Sequence, residues 1–374
     1  METQLKTEPI AQAPAPGSRP LAPFLMAGGG TGGHVIPALA VARELRLRGH
    51  EVFFVGTARG MEAKLVPDAG FELKLIEVGG LNRVAFGQRM KTLVQLPLAT
   101  LGCLRYNVST VFSMGGYVAG PPVMAALLRG VPVVVMEPNA VPGFTNRVIG
   151  RFVARALLSF SESARYFRKG RTELTGLPVR EEFFRIAPKP RGPVLNVLVT
   201  GGSQGSRTLN RAARESWPLF RKAGLPVRMV HQSGTAGFEE LREAFAQSGL
   251  EGEVVPFVMD MPAAFAAADL VVCRSGAGSV SELAAAGKPS ILVPFPFATD
   301  DHQTRNAEAL EREGAARLVR DAEFTGERLA EVVRELAETP GRLETMAEAA
   351  RKLAKPGAAA RAAEILEQIA RDFD

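Results

Sequence analysis

The sequence predicts two parallel α/β domains in series. Short β-rich runs alternate with helical stretches along the whole chain, the pattern of strand–helix–strand crossovers. At 374 residues the chain exceeds what one ordinary hydrophobic core organises. Two glycine-rich turns of one design sit about half a chain apart: Gly28-Gly29-Gly30-Thr31-Gly32-Gly33-His34 and Gly201-Gly202-Ser203-Gln204-Gly205-Ser206. Each follows an apolar run and precedes a helix-like stretch, so each offers backbone N–H groups at the positive end of a helix, where phosphate is favoured. Two such turns imply twin domains facing each other over a cleft that handles phosphorylated ligands.

In the first half, strand-like runs fall at 23–27, 52–55, 73–78, 108–113 and 131–136. In the second they fall at 195–199, 227–231, 253–257, 270–273 and 290–293. The first helix is expected over 37–48: Pro37 suits a first-turn position, Gly49 a stop, and Leu39, Val41 and Leu45 an apolar face. A boundary is expected near Gly176-Leu177-Pro178, with Pro188, Pro190 and Pro193 marking a second stiff segment. The expected organisation is a disordered Pro/Ala-rich tail over 1–20, a first domain over 21–177, a second over 178–355 and an Ala-rich helix over 356–374. That helix is a candidate strap back to the first domain, although nothing in the sequence alone requires it.

The net charge is +6 (45 basic minus 39 acidic residues), which favours anionic partners such as nucleotides, diphosphates or an acidic membrane face. Three Tyr and one Trp are too few for the stacking platforms of a dedicated single-strand binder, so no nucleic-acid partner is expected. Cys103 and Cys273 make no disulfide framework and read as buried thiols of a reducing compartment. The four histidines show no metal-ligand spacing. The first twenty residues lack the apolar core of a secretory signal, and no apolar run reaches bilayer length. A cytoplasmic chain with peripheral membrane contact is therefore expected.

Gly28, Gly30 and Gly33 satisfy the G-x-G-x-x-G spacing of a dinucleotide site. That reading needs a carboxylate at the end of the second strand to hold a ribose diol, and Phe54-Val55-Gly56-Thr57 supplies none. His34 closes the loop. At a helix N-terminus its neutral form is favoured, so it either accepts a proton or hydrogen-bonds a diphosphate, or else merely caps the turn. Gly115, Gly116 and Tyr117 follow the fourth strand-like run, and Glu137-Pro138-Asn139 the fifth, at the strand ends where parallel sheets present ligands. Glu137 reads equally as a structural cap.

The densest stretch runs from Asp269 to Leu283. A buried strand ends in a small-residue turn, where Gly276, Ala277, Gly278 and Ser279 present amides to phosphate. Glu282 follows one turn into the helix, where a carboxylate suits a ribose diol. Asp300, His302 and Gln303 gather beyond the next strand and suit sugar hydroxyls. A metal site from Asp300, Asp301 and His302 is a weak alternative by ligand spacing.

The segments GGGTGGH, GGYVAGPP, EPNAVPGFTNR, GLPVR, TGGSQGSRTLN, CRSGAGSVSE and PFPFATDDHQTRNA, in this order, resemble the peptidoglycan N-acetylglucosaminyltransferases of glycosyltransferase family 28. The likeness covers nearly the whole chain after the tail. It implies a GT-B architecture, two Rossmann-like parallel-sheet domains separated by a cleft. It implies transfer of GlcNAc from UDP-GlcNAc, with inversion, to the MurNAc 4-hydroxyl of lipid I (undecaprenyl-diphosphate-MurNAc-pentapeptide), giving lipid II.

By the same resemblance the second domain holds UDP-GlcNAc. Glu282 takes the ribose, and Ala277, Gly278, Ser279, Val280 and Ser281 cradle the diphosphate. The Val258 backbone reads uracil, Arg180 and Ser203 make further donor contacts, and Gln303 reads a GlcNAc hydroxyl. Thr31, Gly32, Gly33, His34, Tyr117 and Asn139 fall at acceptor-side or sugar-side positions of the first domain. His34 is the expected base and Glu137 its rival. Pro138, Leu177 and Gly278 depart from the family pattern. No cofactor is implied, since helix N-termini and Arg180 suffice to stabilise departing UDP.

The implied partners are UDP-GlcNAc, lipid I, the anionic cytoplasmic face of the cell membrane and other cell-wall synthesis proteins. Residues 84–105 supply a candidate membrane patch: Phe86, Met90, Leu93, Val94 and Leu96 with Arg83, Arg89, Lys91 and Arg105. A helix packed on its own domain is the equal alternative for that segment. The competing functions are a GT-B transferase with another lipid or small acceptor, a sugar-nucleotide 2-epimerase, and a non-catalytic membrane-peripheral scaffold.

Overall fold

The structure, a computed structural model, describes residues 21–79, 86–188 and 190–373, with the side chains of 86–94 left out. The expected tail over 1–20 therefore lies outside the described residues. So do Arg83 and the side chains of Phe86, Arg89, Met90, Lys91, Leu93 and Val94.

The chain forms two compact units. The first comprises Met1–Pro138, Pro142–Pro178 and Gly357–Asp374, the second Asn139–Val141 and Val179–Pro356. Among the described residues the first unit holds one sheet of β1 (Phe24–Gly28), β2 (Val52–Gly56), β3 (Glu72–Leu75), β4 (Thr110–Gly115), β5 (Val133–Glu137), β6 (Arg155–Leu158) and β7 (Thr172–Glu173). The second holds β8 (Leu195–Thr200), β9 (Val227–Gln232), β10 (Glu251–Val255), β11 (Leu270–Cys273), β12 (Ser290–Leu292) and β13 (Ala316–Leu318).

All pairings are parallel. The first sheet runs β3-β2-β1-β4-β5-β6-β7 and the second β10-β9-β8-β11-β12-β13. Each is a doubly wound order that reverses direction at its first strand. The ligand crevice of such a sheet lies beyond the strand carboxyl ends at the reversal, which here are the ends of β1 and β4 and of β8 and β11.

Sheets covered on both faces need continuous apolar strands. Val133, Val134, Val135 and Met136 of β5, and Leu270, Val271, Val272 and Cys273 of β11, are all buried. In the first unit Leu25, Val55, Val111 and Val135 pack with Val123 and Ile149. In the second, Val197, Val199 and Met229 pack with Trp217, Phe220, Phe324 and Leu336. Cys103 and Cys273 are free and buried. Burial pushes their thiols up to about 11 and about 12 respectively, so both stay protonated.

The first helix differs from its expected bounds. It spans Gly32–Leu47, and Pro37 lies inside it instead of opening it. The glycine turn supplies the first helical turn itself: the carbonyl of extended Thr31 accepts from the amides of His34 (3.1 Å) and Val35 (3.2 Å). Pro37 then leaves the Gly33 carbonyl without its usual donor. β6, β7 and β13 lie outside the predicted strands: Arg155, Thr172, Glu173 and Arg317 put polar residues in these short segments, so none reads as an apolar run.

The final helix, Ala358–Phe373, belongs to the first unit. Its buried stripe of Ala362, Ala363, Ile365, Leu366 and Ile369 packs against the Gly32–Leu47 helix. Polar ties flank that contact: Glu367 meets His50 at 2.7 Å and Arg48 at 3.3 Å, and Arg361 meets Glu173 at 2.6 Å.

Candidate functional site

In the first unit the loops leaving β1 and β4 interlock through missing side chains. A Cβ on Gly30 would lie 3.4 Å from the Tyr117 ring, and one on Gly116 would lie 3.5 Å from the His34 ring. Gly30, Gly115 and Gly116 all have positive φ, which admits this approach. Thr31, Gly32, Gly33, His34 and Tyr117 are thereby brought to one edge of one sheet. The His34 Nδ1 lies 3.2 Å from the Gly29 carbonyl. That oxygen only accepts, so Nδ1 is the nitrogen that carries a proton there, and in the neutral ring Nε2 is the basic nitrogen.

Glu137 ends β5 and is 1% exposed, accepting from the Asn146 amide at 2.8 Å. Asn139 belongs to the second unit, where its Oδ1 accepts from Asn306 at 3.1 Å.

A residue that the sequence did not single out organises the first turn. Glu62, 0% exposed, accepts from the Gly30 amide (2.7 Å), the Thr57 amide (3.0 Å) and the Thr57 hydroxyl (2.8 Å). Its carboxylate fills the space a Cβ on Gly29 or Gly60 would need, at 2.5 and 2.0 Å. Burial acts to raise its pKa, but the hydrogen bonds from Thr57 and Gly30 outweigh it and hold the carboxyl below its ordinary value. This is the acid near the end of β2 that a dinucleotide reading lacked. It points under the loop and is shut off from any ribose.

In the second unit the turn after β8 leaves Ser203 exposed, and Ser206 caps the Arg207–Lys222 helix by accepting from Leu209 (3.3 Å). The Ala277–Ala286 helix starts from Gly276, and the amides of Ala277, Gly278 and Ser279 precede the first intrahelical donor, Val280, which gives its N–H to the Gly276 carbonyl at 3.0 Å. Glu282 is half-buried on this helix. Burial pushes its carboxyl up to about 7, against the pull of the Arg180 guanidinium. Arg180 thus lies near the carboxylate it was grouped with from sequence. Gln303 is oriented, its Oε1 accepting from the Phe295 amide at 3.0 Å, so its Nε2 end is the donor left for a ligand.

Three further side chains hold these turns. Arg274 donates to Asp321, to the carbonyls of Val293 (3.1 Å) and Pro294 (3.2 Å), and to the Ser206 hydroxyl (2.8 Å). Buried Asn306 donates to the Ser275 carbonyl (3.1 Å) and accepts from Ala140 (2.9 Å). Gln232 links the turn after β8 to Val258. Each is a polar residue at the end of an apolar strand or inside a motif, and that placement was the available signal. Asp300 and Asp301 adopt left-handed φ of 52° in succession, backbone strain of a kind found at ligand sites. Asp301 accepts from Thr304 and His302 lies against the Thr299 carbonyl. Among the described residues no group of three or more His, Cys, Asp or Glu is placed to hold a metal ion.

Two parallel sheets of the same winding order, each with a glycine turn at its reversal point, make the twin-domain arrangement of GT-B proteins. Residues 24–158 match the glycosyltransferase family 28 N-terminal domain and residues 196–368 its C-terminal domain. The chain is 74% identical over 352 residues to the UDP-N-acetylglucosamine–N-acetylmuramyl-(pentapeptide) pyrophosphoryl-undecaprenol N-acetylglucosamine transferase of Solibacter usitatus, covering 94% of this chain and 97% of that protein. It is 43% identical over 349 residues to the enzyme of the same name from Myxococcus xanthus, covering 91% of each. The crystal structure of Acinetobacter baumannii MurG superposes with a TM-score of 0.78 at 34% identity, over 93% of this chain and 99% of that one. The chain belongs to glycosyltransferase family 28, in its MurG branch.

Proposed function

We propose that this protein transfers GlcNAc from UDP-GlcNAc to the MurNAc 4-hydroxyl of lipid I, giving lipid II. The observation that carries the reading is the 74% identity to a curated transferase of that reaction over 94% of the chain. The donor-side chemistry of the second unit agrees with it. Glu282 accepts both ribose hydroxyls, and the start of the Ala277–Ala286 helix, with the amides of Ala277, Gly278 and Ser279 ahead of Val280 and Ser281, holds the diphosphate with Arg180 and Ser203. The Val258 backbone meets the uracil edge, and Gln303 donates to a GlcNAc hydroxyl.

Thr31, Gly32, Gly33, Tyr117 and Asn139 serve the acceptor or the transferred sugar. The acceptor oxygen attacks the anomeric carbon from the face opposite UDP, its proton passes to a base, and the C1–O bond to UDP breaks, inverting the centre. His34 is the base: its Nε2 lone pair is set by the Gly29 contact, whereas Glu137 is buried under the Asn146 amide.

Among the described residues no helix is long and apolar enough to cross a membrane, and the lipid-linked acceptor is met at the cytoplasmic membrane face by peripheral docking. Leu98 and Leu101, one turn apart on the Phe86–Cys103 helix and 63% and 62% exposed, support that docking, with exposed Arg105 beside them. The deciding experiment is transfer of labelled GlcNAc to a lipid I analogue. Product is expected with UDP-GlcNAc, and a folded protein that makes none defeats the reading.

A further inference from the structure

We propose that Gln232 is a positioning residue that sets the pyrimidine specificity of the donor site by clasping two of its loops, an inference that rests on the donor-site reading above. Gln232 is the last residue of β9, in register with Thr200 at the end of β8 and Val255 at the end of β10. It is 1% exposed. Its side chain spans both neighbouring strand exits. Nε2 donates to the Gly202 carbonyl at 2.8 Å, and Oε1 accepts from the Val258 amide at 2.8 Å.

The backbones around it leave no slack. A Cβ on Gly205 would fall 2.0 Å from the Ser233 carbonyl, and one on Gly234 would fall 2.6 Å from that of Gln204. Asn210, on the helix that follows the glycine turn, donates to Ser233 at 2.9 Å and pairs with His231 at 3.0 Å. The turns after β8 and β9 therefore form one body, and Gln232 extends it to Val258.

The chemical consequence follows from which groups the clasp uses up. At Gly202 it engages a carbonyl that also accepts from the Gly205 amide (3.0 Å), covering an acceptor that would otherwise repel a diphosphate. At Val258 it occupies the amide and leaves the carbonyl as the backbone group for an incoming base. A lone acceptor selects a base edge carrying a donor. Uracil has N3–H there, whereas N3 of cytosine is an acceptor and meets the carbonyl with two lone pairs opposed.

The test uses the full-length protein and calorimetric titration with UDP and with CDP. The wild type is expected to bind UDP and to discriminate against CDP. Gln232→Leu, which removes both arms, is expected to weaken UDP binding about tenfold and to narrow the UDP/CDP ratio, as loss of a buried hydrogen-bond pair implies. It is also expected to raise the KM for UDP-GlcNAc while leaving the acceptor KM unchanged, a split that loss of folded protein alone does not give. Gln232→Glu keeps an acceptor for the Val258 amide and is expected to retain more of the UDP/CDP ratio than Gln232→Leu. A Gln232→Leu protein with wild-type UDP affinity and selectivity overturns the proposal while leaving the donor site standing. A wild type that binds neither nucleotide removes the donor-site reading, and the proposal with it. Should the variants not fold, hydrogen exchange on the wild type decides: a Val258 amide as slow as the β9 core supports the clasp, and one as fast as an open loop overturns it.

Discussion

The glycine turn after β1 and the glycine turn after β8 begin from the same sequence design and end with opposite electrostatics. Under the first lies an ionised, fully buried carboxylate, Glu62, which takes the Gly30 amide. Against the second lies a neutral amide, Gln232, which takes the Gly202 carbonyl. The first turn thus loses a donor and gains a negative charge beneath it, while the second, whose Gly202 and Gly205 amides bond to the Thr200 hydroxyl (3.2 Å) and the Gly202 carbonyl (3.0 Å), has an acceptor covered and no charge behind it. A diphosphate suits the second better. At an effective dielectric near 20, a like charge about 5 Å away costs on the order of 3 kcal/mol. The difference teaches that a glycine-rich turn is a frame whose ligand is chosen by the side chain bound behind it.

Four measurements break or sharpen this contrast. The largest effect is expected at the first turn. His34→Ala should lower kcat by roughly 10²- to 10⁴-fold, the span of a general base, with UDP affinity unchanged. An equal loss of UDP affinity would place His34 with the donor instead.

Next comes the buried carboxylate. Glu62→Leu strands the Gly30 and Thr57 amides and should cost about 2–4 kcal/mol of stability in denaturant unfolding. UDP binding by the surviving folded protein should not change. The same group gives a pH signature. Its folded pKa lies below the ordinary 4.5, so its contribution is present above that value and is lost as pH falls through the folded pKa. Glu62→Leu should flatten that part of the acid-unfolding profile.

A smaller effect belongs to Glu282, whose carboxyl sits at about 7 in the unliganded protein. Accepting two hydroxyls requires the ionised form. UDP-GlcNAc, which has no phosphate titrating near neutrality, should therefore bind more weakly as pH falls below about 7, and Glu282→Gln should bind weakly without that slope. The sign for the empty protein is the reverse. A raised folded pKa means that stability falls as pH rises from 4.5 toward about 7.

The smallest effects separate the glycines. Gly202→Ala has φ of 79° but open space around its Cβ, and should cost only about 1 kcal/mol of left-handed strain. Gly205→Ala meets the Ser233 carbonyl at 2.0 Å and should cost several-fold more. Equal stabilities in thermal melts would mean that the two turns are not locked together.

Much of the chemistry was legible because it lies in short contiguous motifs. The two glycine turns, the segment from Arg274 to Glu282 and the segment around Gln303 each combine a strand exit with small or polar residues, and local pattern exposes them. The first helix begins five residues before Pro37, the first-turn residue its sequence predicts, because the glycines before it already supply that turn.

By itself the sequence determined the parallel α/β class, the strand exits that carry ligands and most of the candidate residues. These follow from apolar runs, glycine freedom and side-chain chemistry, which are local properties. Only the tertiary structure decided what stands behind each turn, where the last helix docks and how Gln232 spends its two hydrogen bonds. Glu62 is 32 residues from Gly30 and Gln232 is 26 from Val258. Which donor meets which acceptor across such separations depends on how the strands line up in the folded sheet.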